Sequence, residues 1–371
     1  MNKWTINNFS ECIDPVRIDR SRQVKAATYL TAGKYPIVDQ GQSDITGWTD
    51  DVSTVISENL PYIIFGDHTR IFKYVDFPFA LGADGTKLIK PRSDINPRYF
   101  YYYLSLLDIP SKGYSRHYQL LKEKDISLPP FPEQEKIAAV LLKLQNAILI
   151  QEKIIQSLRD LKKSTMNFIF SRGLHGEKTK YTPIGEIPES WEVVPFINFI
   201  VLQRGFDITK REQQNGNVPV VSSGGISSYH DKAKCIGPGV IIGRKGALGT
   251  VHYVESDYWP HDTTLWVKDF KTNDPLYVYW FLQTMRLKKF DSGSSNPTLN
   301  RNTVHREVIA VPKLKEQKQI AESLCSIARK DEFHSTKKSA LQDLFNTTLN
   351  KLMTGELRVG ELDIDVKSVK I

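Results

Sequence analysis

Ile126-Ser127-Leu128-Pro129-Pro130-Phe131-Pro132-Glu133-Gln134-Glu135-Lys136-Ile137-Ala138 returns later in the chain as Ile309-Ala310-Val311-Pro312-Lys313-Leu314-Lys315-Glu316-Gln317-Lys318-Gln319-Ile320-Ala321. The shift is 183 (Pro312 − Pro129 = 183), and Ile, Pro, Glu-Gln and Ile-Ala match without a gap. The same shift carries Leu158, Asp160, Leu161, Thr165 and Asn167 onto Leu341, Asp343, Leu344, Thr348 and Asn350. It also carries Pro36 and Gly41 onto Pro219 and Gly224. One plan is therefore written twice, which predicts a molecule with an internal pseudo-two-fold repeat.

Each quoted stretch is a junction. Before it, short β-rich runs such as Tyr35-Pro36-Ile37-Val38 and Tyr62-Ile63-Ile64-Phe65 sit beside turn signals at Asp39 to Gly41 and at Gly66-Asp67-His68. After it, residues 133 to 172 contain no Gly or Pro. Ile137, Leu141, Leu144, Ile148, Ile155, Leu158 and Ile169 fall on the a and d positions of one heptad frame. A second line, Val140, Ala147, Ile154, Leu161 and Phe168, advances by sevens beside it. So wide a stripe predicts a helix packed on at least one other helix. Forty residues at 1.5 Å each would span ~60 Å, and Gly173 supplies the stop. The second junction opens a matching helix, from about Lys315 to Thr354, stopped by Gly355. Its stripe is Ile320, Leu324, Ile327, Leu341, Phe345 and Leu352, with a polar middle at Asp331, His334 and Lys338.

Between the helices, residues 174 to 190 read as a linker and Trp191-Glu192-Val193-Val194 opens the second copy. Val240-Ile241-Ile242-Gly243 mirrors Ile63-Ile64-Phe65-Gly66. Asp274-Pro275-Leu276-Tyr277 mirrors Asn96-Pro97-Arg98-Tyr99 at the start of an aromatic helix, with the shift reduced to 178 (Pro275 − Pro97 = 178). The predicted fold class is α+β: two globular domains separated by two long antiparallel coiled-coil helices. The expected limits are 1–131 and 176–311 for the globules, 132–175 and 312–360 for the helices, and 361–371 for a C-terminal tail.

The chain has 371 residues, 40% hydrophobic content and a net charge of +8, with a pI near 9.1. That is ample for two cores, and the basic excess fits a nucleic-acid partner. A pseudo-two-fold molecule also suits duplex DNA, itself roughly two-fold. Cys12, Cys235 and Cys325 form no CxxC and no cluster with His, which speaks against zinc and against a disulfide framework. Met1-Asn2-Lys3-Trp4 lacks the apolar core of a signal peptide, and no stretch reaches the ~20 apolar residues of a membrane span. The expected location is the cytoplasm.

The chemistry of catalysis is missing. An amino-methyltransferase wants Asn or Asp before Pro-Pro-aromatic, to accept a hydrogen bond from the flipped base. Here Leu128 precedes Pro129-Pro130-Phe131, and the second copy reads Val311-Pro312-Lys313-Leu314. Gly243-Arg244-Lys245-Gly246-Ala247-Leu248-Gly249-Thr250 is glycine-rich but lacks the P-loop Lys before Thr250. Glu316-x-Lys318 has no partner acid, and there is no HExxH or GxSxG. The chain reads as a reader rather than a catalyst.

Three segments carry a family resemblance. They are the junction from Leu128 to Ala138 with its second copy at Val311-Pro312, the segment from Leu158 to Gly173, and Pro183-Ile184-Gly185-Glu186-Ile187-Pro188-Glu189-Ser190-Trp191. Together they resemble the specificity subunit of type I restriction–modification enzymes, the HsdS family, over the whole chain. Departures are Lys313 and Lys315 at the second junction and the polar middle of the second helix. The resemblance implies two target recognition domains, each reading half of a bipartite site in double-stranded DNA, with the helices setting the spacer; the differing loops of the two globules predict two different half-sites and an asymmetric target. It implies docking to two methyltransferase subunits, and to restriction subunits in the full complex. It also implies no cofactor in this chain, with S-adenosylmethionine bound by the methyltransferase partner. A stand-alone DNA-binding regulator with a coiled-coil spacer is the alternative from another class.

Base readout needs forked donors on rigid loops, and phosphate contacts need Lys, Arg and small hydroxyls. In the first globule the candidates are Gln40, Gln42, Ser43, Arg70, Lys73, Arg116 and His117. In the second they are Gln203, Arg204, Lys210, Arg211, Ser223, Arg244, Lys245, Asn296, Asn300 and Arg301, the Gly293 to Arg301 stretch being polar and free of carboxylates. Arg70, Arg116, Arg204 and Arg244 rank first, because Gly, Thr, Ser or His flank them rather than acids. His68, His117, His230 and His261 show no metal spacing.

Overall fold

Both predicted long helices are present in the computed structural model, from Phe131–Arg172 and from Leu314–Met353. The structure describes residues 4–17, 19, 22–82, 85–111, 113, 116–291, 297–364 and 366. The chain forms two compact units, residues 1–152 with 337–371 and residues 153–336. Each unit thus contains a globule, half of one long helix and the opposite half of the other. No helix among the described residues is long and apolar enough to cross a membrane.

In the first unit, an antiparallel sheet runs in the order Ile13–Asp14, Thr86–Pro91, Tyr62–Gly66, Phe72–Val75. A second sheet joins Gln23–Val24, Phe79–Gly82, Tyr35–Val38 and Gly47–Thr49, with Val55–Ile56 also on Phe79–Gly82. Thr5–Asn8 pairs with Asp125–Leu128 to close the globule onto the junction. The second unit repeats the plan. Its sheet order is Val201–Arg204, Thr264–Asp269, Gly239–Gly243, Val251–Val254. Val218–Ser222 lies between Gly225–His230 and Trp259–Pro260, and Glu192–Pro195 pairs with Val308–Val311. The central strands Tyr62–Gly66 and Gly239–Gly243 are buried along their whole length. A continuous apolar run is what two covered faces require.

One face of each sheet is covered by the aromatic helix, Pro97–Leu106 or Pro275–Thr284, with Pro in its first turn. Asn96 Oδ1 caps the first by accepting from the Arg98 and Tyr99 N–H groups, and Asp274 Oδ1 caps the second through Tyr277 N. In the first unit this core continues into Ile137, Ala138 and Leu141 of the first long helix and Leu349, Leu352 and Met353 of the second. In the second unit Ile169 shares a core with Ile320, Ala321 and Leu324. The start of one helix lies with the end of the other in each unit, so they pack antiparallel there.

The repeated Glu-Gln is explained by what each side chain holds. Gln134 accepts from Asn96 N at 2.8 Å and donates to Pro129 O at 2.9 Å. Gln317 accepts from Asp274 N at 3.0 Å and donates to Pro312 O at 2.9 Å and Asn273 Oδ1 at 2.7 Å. Both amides are buried, and both pin the start of a long helix to the cap of the aromatic helix. The neighbouring glutamates hold the segment that follows the other long helix. Glu133 receives Arg358 Nε and Nη2 at 2.7 and 2.8 Å. The Arg358 hydrogen bonds, working against burial, hold its carboxyl below the usual range. Glu316 accepts from Leu174 N at 3.0 Å and Trp191 Nε1 at 3.2 Å. Gly173 and Gly355, the expected stops, both adopt positive φ, +70° and +72°.

The heptad frame survives as Ile137, Leu141, Ile148, Ile155 and Ile169, all buried, with Leu144 and Leu158 half-buried. Of the second line, Val140, Ala147 and Ile154 are half-buried, whereas Leu161 and Phe168 are 49% and 57% exposed. The polar middle is tied by ion pairs within the units: Lys338 to Glu152 at 2.8 Å, and Arg159 to Asp331 at 3.5 Å. The described part of the C-terminal tail packs back on the first long helix. Lys136 Nζ donates to Gly360 O and Leu362 O, both at 2.7 Å, and Ile364 packs on Ala139 and Leu142.

Candidate nucleic-acid interface

Three candidates from distant parts of the second globule meet at one place. Arg204 ends a sheet strand, Arg244 follows the strand Gly239–Gly243, and Arg301 begins the short helix Arg301–His305. They line a pocket of about 350 Å³ with Thr298, Asn300 and Asn302, over Leu265 and Leu299. The backbone of Arg244 is held on both sides: its N–H donates to Thr263 O at 2.8 Å, and its carbonyl accepts from Leu299 N at 3.0 Å. Arg204 is held through its side chain, Nη2 donating to Asp262 Oδ2 at 2.8 Å. Gly205 makes that approach possible, since a Cβ there would stand 2.1 Å from His261 O.

Asp262 is the only carboxylate bonded to these arginines among the described residues. Burial alone would raise its carboxyl, but the Arg204 hydrogen bond and the charges of His261, Arg204 and Lys245 outweigh it and hold it low. Arg244 is pushed down by burial and by the Arg204 charge, against Asp262. Its Nη1 is buried with no hydrogen-bond partner among the described residues. Asp207, His261 and Asp262 each bring a ligand-type atom within 4.8 Å of the others. Asp262 already serves Arg204, and His261 Nδ1 lies 2.9 Å from Thr263 Oγ1.

Around this centre, Lys245 N donates to Thr263 O at 3.1 Å. The Ser223 carbonyl accepts from Thr250 Oγ1 and lies 3.0 Å from His252 Nε2. Lys210 and Arg211 are exposed on a turn closed by Thr209 and Glu212. Asn296 lies outside the described residues.

The first-globule candidates divide differently. Ser43 and Arg116 are exposed. Gln40 ties two loops, its Oε1 accepting from His68 N and its carbonyl from Thr69 Oγ1. Arg70 sits at φ +62° and donates to Ile109 O at 2.8 Å. Lys73 is 5% exposed; its ammonium donates to Ser43 O and lies 3.9 Å from Asp39. Burial lowers it, against the charges of Asp39 and Asp44. His117 is fully buried, its N–H and Nδ1 both on Asp67 O. The structure therefore gives Lys73 and His117 internal partners and no open face toward a ligand.

The two globules use one backbone frame with opposite charge at its key position. Asp67 follows Gly66 as Arg244 follows Gly243. Asp67 N donates to Gly85 O at 2.7 Å, the counterpart of the Arg244 to Thr263 bond. Its carboxylate is spent on Tyr118 N at 2.7 Å. The sequence alone had not pointed to Asp262, Asn302 or Arg17. Strand pairing aligns Trp4 with Trp191, a shift of 187, and that shift carries the exposed Arg17 onto Arg204. The 178 shift would have pointed to Asp262, by carrying Asp84 onto it; Asp84 lies outside the described residues.

The sequence profile of the type I restriction modification DNA specificity domain matches residues 14–160 and again 188–343. Among curated relatives, two specificity subunits of type I restriction enzymes from Methanocaldococcus jannaschii are similar. The one named for MjaX is 26% identical over 257 residues, and the one for MjaVIII 27% identical over 268 residues. Each alignment covers 64% of this chain and only 60% and 63% of the relative's length. In fold, the chain is similar to the crystal structure of a type I restriction–modification S subunit from M. genitalium. The TM-score is 0.67 at 16% identity, over 94% of this chain and 96% of that one. A chain from a structure on complex assembly and conformational transition of the type I system gives a TM-score of 0.56 at 12% identity, covering 96% and 98%. With both copies matched over more than half its length, this chain belongs to the family of type I restriction–modification DNA specificity domains.

Proposed function

We propose that this chain is the non-catalytic specificity subunit of a type I restriction–modification complex, each globule acting as a target recognition domain for one half of a bipartite DNA site. The observation that carries the reading is the duplicated frame with different loops, the repeat shift being 183 at the junctions and 178 at the aromatic helices. One frame with two sets of loops fits two different half-sites and an asymmetric target. The long helices set the spacer. Their exposed Leu149, Ile150, Leu161 and Phe168, with Phe333 and Leu344 on the second helix, favour docked methyltransferase subunits over a stand-alone regulator. Methyl transfer from S-adenosylmethionine belongs to those subunits, and cleavage to restriction subunits. The complex works in the cytoplasm, where its DNA is.

The spacer role is tested by adding one heptad to each long helix at the level of the Glu152–Lys338 ion pair. Seven residues add about 10 Å, or roughly three base pairs at ~3.4 Å each. The expected methylome shows both half-sites unchanged and the gap lengthened by about that amount. Altered half-sites with an unchanged gap would refute separate readers on a ruler.

A further inference from the structure

We propose that the pocket between Arg204, Arg244 and Arg301 is a clamp for one backbone phosphodiester of the DNA bound by the second globule, and that it grips DNA without reading a base. The inference rests on the DNA-specificity reading and goes further, by assigning these residues to affinity and register instead of sequence. Three arginines from separate segments line about 350 Å³, and none of the other lining residues is acidic. Asp262 bonds Arg204 from outside the lining and makes no hydrogen bond to Arg244 or Arg301 among the described residues. A guanine edge presents two acceptors in one plane and suits a single fork. A phosphate accepts from several directions at once, which is what three arginines around one pocket and the Asn302 side chain offer.

Charge decides between the two ligands. Arg204 presses on Arg244, and Asp262 relieves only part of it. Arg244 also keeps a buried Nη1 without an acceptor among the described residues. A bound anion cancels the repulsion between Arg204 and Arg244; a neutral base does not. Asn300 is already engaged, its Oδ1 accepting from Asn302 N at 2.9 Å. In the first globule the position of Arg244 is Asp67, whose carboxylate holds Tyr118 N. The first globule therefore has no such clamp at this place, and the two halves of the target are held unequally.

The test uses the full chain in complex with its methyltransferase partner, on a duplex carrying the wild-type methylation motif. Arg244→Gln is expected to weaken binding about tenfold and to reduce the slope of log affinity against log salt by about one. The methylated motif is expected to keep every base. Arg244→Lys, which keeps the charge but not the fork, is expected to keep both the motif and most of the slope. A motif that becomes degenerate at one position in either variant would make Arg244 a base reader and overturn the clamp. So would unchanged affinity and salt slope in Arg244→Gln. If Arg244→Gln fails to assemble, the lysine variant decides: weaker binding with every base of the motif kept supports the clamp, and unchanged affinity or a degenerate motif overturns it. A wild-type complex that recognises no gapped motif would instead remove the specificity reading on which the clamp rests.

Discussion

Gln317→Ala is expected to destabilise the second unit by about 3 kcal/mol, a large effect for a residue that touches no ligand. The substitution leaves Pro312 O without its partner in a buried place, and Asp274 N and Asn273 Oδ1 without theirs in part-buried ones. A buried polar group left unsatisfied costs roughly 1–3 kcal/mol. Local rearrangement around Asn273, which also donates to Phe199 O, offsets part of the sum. Gln134→Ala orphans two groups, Asn96 N and Pro129 O, and is expected to cost less, about 2 kcal/mol. Denaturant unfolding of both variants checks the order as well as the size. A loss below about 0.5 kcal/mol, typical of a surface substitution, would show that the repeated geometry of the two junctions rests on something other than these amides.

Trp191→Ala is expected to cost more, about 3–5 kcal/mol, as large aromatic truncations in cores do. Trp191 is 1% exposed in the largest hydrophobic cluster of the second unit. It has a second role, donating from Nε1 to Glu316 Oε2. Trp191→Phe keeps most of the packing and removes the donor, so it is expected to cost about 1–2 kcal/mol. Unfolding of Trp191→Phe in a Glu316→Ala background isolates the pairwise part. If Trp191→Phe costs the same with and without Glu316, the hydrogen bond adds nothing to the packing. Through Glu316 the same residue holds Leu174 N, so Trp191 links the end of the first long helix to the start of the second globule.

The long helices were legible because their signals are local. Gly and Pro are absent for about forty residues, Gly173 and Gly355 supply stops, and the apolar stripe repeats by sevens. The aromatic helices were legible from Pro97 and Pro275 in their first turns. The candidate site was legible only as a set of arginines, because what groups them is long-range. Arg204, Arg244 and Arg301 lie up to 97 positions apart (301 − 204 = 97) and meet through strand pairing and the close passage at Gly205. Lys73 shows what picking exposed-looking cations from sequence misses. Phe72 and Tyr74 point into the core under the aromatic helix, which leaves Lys73 and Val75 on the other face of the strand. That face is covered too: Val75 packs with Val38, Ile56 and Phe79, and Lys73 meets the loop at Asp39 and Ser43. Nothing near Lys73 in sequence announces that cover. Arg70 was hidden likewise, since its bond to Ile109 O crosses 39 positions.

The central claim is that this chain chooses where its partner methylates, through two separate readers. Methylome sequencing of host DNA tests it most directly, comparing a strain carrying this chain and its methyltransferase partner with one lacking only this chain. The account predicts that one gapped, two-part, asymmetric motif disappears with the chain and returns when it is restored. An unchanged methylome, with the partner shown to be active, would contradict it.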